Sequence, residues 1–312
     1  MKLEFYIEKS NHGKVYEISQ LVTAVSYTDK LNDGCSKLDF AYVNDDLIIE
    51  NGDIVRFKYN NTGIFFGVVF KVERDKGAKI SVTAYDQLRY CKAKDSFVYT
   101  GYTLTTLVNR MCTCYGLLKG TLTDTKYVLQ TSVCDNQTWL DIIYSAIRET
   151  LQNTGRLYAL RDEYGLISIR NVEDLKLNLV LGDYSLAYDF NYGKSIDDGF
   201  YNLIKIQGKK DSQFTEVKDI ASINKYGLLQ YFDIASEKMN ASQIKAKADI
   251  LLKTYNHEVE TLDLECIGDT SIRAGSGFYA YIDSIKMNKM VYVKSVTHKY
   301  LPAHTMTVEA QL

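Results

Sequence analysis

The sequence predicts an α+β protein that is mainly β, with two β-rich domains and a small α/β insert between them. Three observations predict it. Strand-type alternation fills residues 1 to about 90 and returns from Leu179. Helical periodicity concentrates between these stretches. Finally, the end of the chain repeats its beginning. Leu38-Asp39-Phe40-Ala41-Tyr42-Val43, Asn51-Gly52-Asp53, Val68–Val72 and Ser81–Tyr85 are matched by Leu262-Asp263-Leu264-Glu265-Cys266-Ile267, Ala274-Gly275-Ser276, Tyr292–Val296 and Thr307–Gln311. The offset is 224 at Leu38/Leu262, 223 at Gly52/Gly275, 224 at Val72/Val296 and 226 at Val82/Val308. Each match pairs strand pattern with strand pattern or turn with turn. The expected division is 1–90 for the first β domain, 91–178 for the insert, and 179–312 for the second β domain with one helix at about 240–256.

Within the first block, Leu3, Phe5 and Ile7 alternate, and Lys37 to Val43 alternates again. Asn60-Asn61-Thr62-Gly63 is a hairpin signal, because Asn and Gly tolerate positive φ. Asp75-Lys76-Gly77 turns the chain into Lys79–Tyr85. In the insert, Thr103 is placed to cap a helix with Leu104, Leu107, Val108, Met111, Tyr115 and Leu118 on one face. Thr138 caps a second, with Trp139, Ile142, Ile143, Ala146, Ile147 and Leu151 inward. A hairpin follows, out through Arg156–Arg161, turning at Asp162-Glu163-Tyr164-Gly165 and back through Leu166–Arg170. Strands resume at Asp183–Tyr192 and Tyr201–Gln207, with a loop at Asp197-Asp198-Gly199. Residues 209–235 read as a long polar loop. A third helix follows Asn240 or Ser242, with Ile244, Ala248, Leu251, Leu252 and Tyr255 inward.

Composition narrows the function. Net charge is −2, so no electrostatic case exists for nucleic acid or an anionic membrane as partner. The longest apolar stretch, Ile64 to Phe70, is seven residues, and a spanning helix needs about 20. No membrane-spanning segment is expected. The start, Met1-Lys2-Leu3-Glu4-Phe5-Tyr6, lacks the pattern of a secretory signal, and folding in a cytosol is expected. Six dispersed cysteines, Cys35, Cys91, Cys112, Cys114, Cys134 and Cys266, read as small buried apolar residues rather than a disulfide framework. The 25 tyrosines and single proline, Pro302, suit wet protein interfaces and directly joined domains.

The chain offers little chemistry. Asp269-Thr270-Ser271 resembles an aspartic-protease tripeptide, but no second Asp-Thr-Gly exists to share its proton, and a strand turn is expected. Among His12, His257, His298 and His304, the last two could meet across a hairpin around Pro302, yet no metal-ligand spacing surrounds them. Cys134 precedes a helix, but nothing in the sequence brings His257 or His298 to it as a base. Gly275-Ser276-Gly277 does not open a helix, so it fails as a phosphate loop. Lys205, Lys209 and Lys210 read as a solvated loop. No catalytic, cofactor-binding or metal-binding residue is predicted, and no cofactor.

Several runs carry a family resemblance. Ala84-Tyr85-Asp86-Gln87-Leu88-Arg89-Tyr90 resembles a domain junction in hub proteins of phage tail baseplates. Thr138-Trp139-Leu140-Asp141-Ile142-Ile143, then Thr150, then Tyr158–Gly165 resemble that family's central helix and hairpin. Tyr201-Asn202-Leu203-Ile204-Lys205-Ile206 resembles the strand that re-enters its second barrel. The family occurs in contractile-tailed phages of Gram-positive hosts and in related phage-tail-like bacteriocins. The resemblance implies two tube-protein-like β-barrel domains flanking an α/β insert, and a homotrimer forming a pseudo-six-fold ring. It implies as partners the tail tube protein, the central spike protein, and other baseplate and tape-measure proteins. The implied location is a virion or bacteriocin tail baseplate, assembled in the host cytoplasm. Some related hubs carry fused cell-wall hydrolases. With Leu312 ending a strand pattern, enzymatic activity is not expected here. Two alternatives remain: a cell-wall-degrading tail enzyme with peptidoglycan hydrolase activity, and a carbohydrate-binding β-sandwich.

Overall fold

In the computed structural model, residues 2–10, 13–43, 46–77, 79–197, 199–208, 213–237 and 239–311 are described. His12, Asp198, Lys209 and Lys210 therefore lie outside the described residues. The chain divides into two compact units. One runs through Thr150, then Arg156–Asn191 and Leu262–Gln311, while Leu151–Gly155 and Tyr192–Thr261 form the other. Apart from Leu151–Gly155, the second unit falls inside the 179–312 stretch assigned from sequence to one domain.

The first unit opens with seven strands: β1 Leu3–Glu8, β2 Val15–Glu17, β3 Val22–Lys30, β4 Lys37–Val43, β5 Ile54–Tyr59, β6 Thr62–Arg74 and β7 Lys79–Tyr85. They pair antiparallel in the order β2-β1-β5-β6-β7-β4-β3. Alternation places Phe5, Ile7, Val25, Tyr27, Leu38, Phe40, Val55, Phe57, Ile80 and Val82 in one core. Asn60 at φ 47° and Asn61 at φ 64° make the two-residue turn between β5 and β6. Two consecutive positive φ values match the twist of the flanking strands.

The insert follows: β8 Lys94–Tyr99, α1 Leu104–Cys114, β9 Lys119–Leu122, β10 Ser132–Thr138, α2 Trp139–Thr154, β11 Tyr158–Asp162 and β12 Ile167–Asn171. Thr103 caps α1 in a box with Thr106. At the start of α2, Asp141 N–H donates to Thr138 Oγ1 at 3.1 Å. Trp139, Ile142, Ile143, Ala146 and Ile147 are buried in one core with Leu104, Leu107, Val108 and Met111. The expected α1 face runs too far. Gly116 at φ 63° ends the helix, and Leu117 N–H closes back onto Cys112 O at 2.8 Å. Leu117 is thus the buried residue and Leu118 is 68% exposed.

The closing strands of the first unit are β13 Lys176–Gly182 and β14 Ala187–Ser195, which runs across the unit boundary. After the second unit they resume with β18 Val259–Ile267, β19 Gly277–Ile282, β20 Met287–Lys299 and β21 Thr305–Gln311. Their order is β14-β18-β21-β20-β19-β13. It repeats the order β3-β4-β7-β6-β5-β1, except that β13 runs parallel to β19 where β1 runs antiparallel to β5. The hydrogen bonds repeat too. Gly52 N–H donates to Val69 O at 2.9 Å and Val69 N–H to Asp53 O at 2.8 Å; Gly275 N–H donates to Val293 O at 2.8 Å and Val293 N–H to Ser276 O at 2.9 Å. Val72 pairs with Val82, and Val296 with Val308. Bulges recur at Val69/Lys71 and Val293/Ser295. β20 also pairs with β3, so both blocks belong to one 13-stranded sheet.

Between β14 and β18 the second unit holds β15 Leu203–Gln207, β16 Phe214–Lys218, α3 Ile220–Tyr226, β17 Gln230–Ile234 and α4 Ala241–Tyr255. β15 lies between antiparallel β16 and parallel β17. Ile204, Ile206, Ala235, Ile244, Ala248 and Leu251 form its core, and Asn240 caps α4. The long loop expected over 209–235 does not form. From Gln213 onward that stretch is largely β16, α3 and β17. None of the three buries a residue fully, so the apolar pattern that marks an element is weak in their sequences. Pairing with buried β15 holds the two strands, and Asp219 caps α3 through Ser222 N–H.

Candidate functional site

The structure brings the two expected histidines together. His298 Nδ1 and His304 Nε2 lie 3.1 Å apart, and His298 Nε2 bonds Ile272 O at 2.9 Å. Tyr300 stacks on His304 at 4.4 Å, with Tyr27 and Tyr59 packed around the pair. Burial lowers the pKa of both; His304, next to His298, falls to about 4. Gly268 lies so close to the His304 ring that an added Cβ would sit 2.2 Å from it. Among the described residues no three metal-ligating side chains converge. The pair pins the end of β20 to the start of β21.

A second cluster has no counterpart in the sequence reading. Arg273 Nε donates to Asp29 Oδ2 at 2.9 Å and its Nη1 to Asp162 O at 2.8 Å. Ser36 Oγ donates to the other oxygen of Asp29 at 2.9 Å, and Ser36 N–H to Asp86 at 2.8 Å. Asp162 accepts from Gln87 N–H at 3.1 Å and from Gly165 N–H. Burial would raise the Asp29 carboxyl, but Arg273 and then Arg161 outweigh it and hold the pKa low. Burial raises Asp86 and Asp162, and for Asp86 the charge of Asp162 adds to the effect. Backbone amides already occupy oxygens of both carboxyls. The space between Tyr27, Asp86, Asp162 and Tyr164 does not hold even a water. What the cluster does is mechanical: it ties β3, the turn after β7, the β11–β12 turn and the loop before β19 into one knot. Four segments distant in sequence supply it, and only an Asp29 inside an apolar alternation hinted at it.

The other candidates stay apart. Asp269 Oδ1 accepts from Ser271 N–H and Oγ in a turn. All six cysteines are free thiols, and burial raises Cys134 away from the thiolate. Both ring nitrogens of His298 are occupied, so none is left for a cysteine. Lys205 is paired with Glu216 at 2.8 Å. What the surface offers is strand edges and exposed rings. Tyr184 is 96% and Tyr188 60% exposed around the start of β14, and in the second unit Phe214, Phe232 and Ile234 are exposed on β16 and β17.

Comparison with known proteins finds relatives in sequence and in fold along most of the chain. The chain is 27% identical over 266 residues to the phage-like element PBSX protein XkdQ of Bacillus subtilis, covering 84% of this chain and 82% of that protein. Its fold matches the 43 kDa tail protein of prophage MuSo2 from Shewanella oneidensis with a TM-score of 0.72 at 13% identity, over 99% of this chain and 98% of the other. It also matches the Escherichia coli c3393 protein, a type VI secretion component described as similar to the T4 tail proteins gp27 and gp5. There the TM-score is 0.59 at 12% identity, over 99% of this chain and 76% of that one. The YQBQ-like family profile spans residues 25–311, and the chain belongs to that family.

Proposed function

We infer that this protein is a structural baseplate hub of a phage-type contractile tail. As a homotrimer it would form a pseudo-hexameric ring joining the six-fold tail tube to the three-fold central spike. The observation that carries the reading is the repeated strand order, β3-β4-β7-β6-β5-β1 and β14-β18-β21-β20-β19-β13, within one chain of a tail-protein fold. A tube ring repeats six times and a spike three times. Two near-equivalent barrels per chain resolve that mismatch, since each barrel offers a similar surface while the chain keeps three-fold symmetry. The insert and the unit around α4 occur once per chain and can mark three-fold features. Partners on this reading are the tube protein, the spike protein, and other baseplate and tape-measure proteins. Copy number in intact particles tests it. Three copies at the tube–spike junction are expected; six copies, or a place in the sheath or fibres, would refute it.

A further inference from the structure

One half of one strand lacks a neighbour. β7 lines one edge of β6 as far as Arg74. The other edge carries β5 up to Val68, and then Gly52 and Asp53 at Val69. From Phe70 to Arg74 that edge has no backbone partner among the described residues. In the matching strand, β20, the same edge is filled. β19 runs to Tyr292, Gly275 and Ser276 bond to Val293, and then β3 takes over. Leu31 N–H donates to Lys294 O at 2.8 Å, Asp29 faces Val296, Tyr27 faces His298, and Tyr300 N–H donates to Val25 O at 3.0 Å. The first block thus completes the second block's open edge. The reverse junction is not made within the chain, although both halves of it exist. β14, the counterpart of β3, has β18 on one side and no strand on the other among the described residues.

We propose that the Phe70–Arg74 edge of β6 takes the outer edge of β14 from a second copy of this chain, repeating the β20–β3 junction between molecules. The copy number assumed rests on the hub reading. The register follows from the repeat. Val43 N–H bonds Leu21 O and Ile267 N–H bonds Leu186 O, which sets β14 165 residues after β3. Gly193 lies against Thr261 as Thr28 lies opposite Lys37, which keeps the same step. Transferring the β20–β3 register places Lys71 opposite Ser195, Val72 opposite Lys194, Glu73 opposite Gly193 and Arg74 opposite Tyr192. No like charges face each other, and Arg74 meets an aromatic ring. In the free chain the charges of Lys71, Glu73 and Arg74 discourage indiscriminate pairing of this edge. Junctions of this kind run head to tail, so in-chain and between-chain pairings alternate and close into a ring.

Lys71 and Ser195 correspond to a directly opposed pair without hydrogen bonds, the closest approach of antiparallel strands and one that suits a disulfide. The test is the full-length Lys71→Cys/Ser195→Cys variant, oxidised in assembled tail particles and run on a non-reducing gel beside each single variant. A covalent trimer in the double variant alone is expected. Three copies per particle without this cross-link overturn the edge pairing and leave the hub standing. A cross-linked ring of another size keeps the pairing and overturns the hub. Val72→Pro is the second variant, since the Val72 N–H points to the open edge. Its monomer should melt within a few degrees of wild type while incorporation into particles falls at least tenfold. Incorporation at the wild-type level would overturn the proposal.

Discussion

At the scale of single residues, the two buried polar centres govern pH response and stability. His298 and His304 have folded pKa values below the 6.5 of a free histidine, about 4 for His304. The unfolded chain therefore binds protons first as pH falls. Their neutral, paired state contributes stability above pH 6.5, and that contribution is lost as pH drops from 6.5 toward about 4. Thermal melts of wild type should decline over that window, and His304→Phe should flatten the slope there. An unchanged slope would mean the pair is not what titrates. Asp29→Asn leaves the buried Arg273 guanidinium without its carboxylate and should cost about 3–5 kcal/mol in urea unfolding. The histidine contact was legible in the sequence because its members are six positions apart, with a proline among the residues between them. The Asp29–Arg273 contact was not, because its members are 244 positions apart. Residue chemistry also explains why the internal repeat shows so few identities. Asp53 accepts from Glu50 N–H and Ser276 from Arg273 N–H, so a carboxylate and a hydroxyl fill one turn role. Gly52 and Gly275 are kept, because both sit at positive φ, 95° and 84°.

At the scale of elements, legibility followed burial. α2 carries six buried apolar residues, five of them at helical spacing from Trp139 to Ile147, and both its start and its inward face were readable. Ile143→Asp places an unpaired charge in that core and should cost roughly 3–5 kcal/mol, read as a lower urea midpoint. A variant with an unchanged midpoint would mean the stripe is not buried. The β5–β6 hairpin was equally plain, since Asn60-Asn61 is one of the few ordinary pairs that accept two positive φ values. Asn61→Val should destabilise by about 1–2 kcal/mol, because a β-branched residue resists that conformation. β16, α3 and β17 were illegible for the opposite reason. With no fully buried side chain they carry only a weak periodic signal, Val217 and Tyr231 packing partly buried against the core, and pairing with β15 defines the strands.

At the scale of the whole molecule, the buried carboxyls serve cohesion, and purified protein should release peptidoglycan only at background. Turnover abolished by substituting Asp86 or Asp162 would overturn that. The repeat made the two-block plan readable in advance, whereas the division into compact units was not, because sequence offers no boundary where a strand passes from one unit to the other. β14 and β18 are hydrogen-bonded neighbours, yet residues 196–258 lie between them. Topologically, that whole stretch is a hairpin loop that has acquired a core of its own. Lengthening a loop costs chain entropy only logarithmically, so the sheet is nearly indifferent to what the loop contains. Such a position tolerates exchange: relatives can carry a different module there, or a short turn, without disturbing the ladder on either side. The chain thus separates what must stay constant from what is free to diversify, at a point where the backbone makes the separation inexpensive.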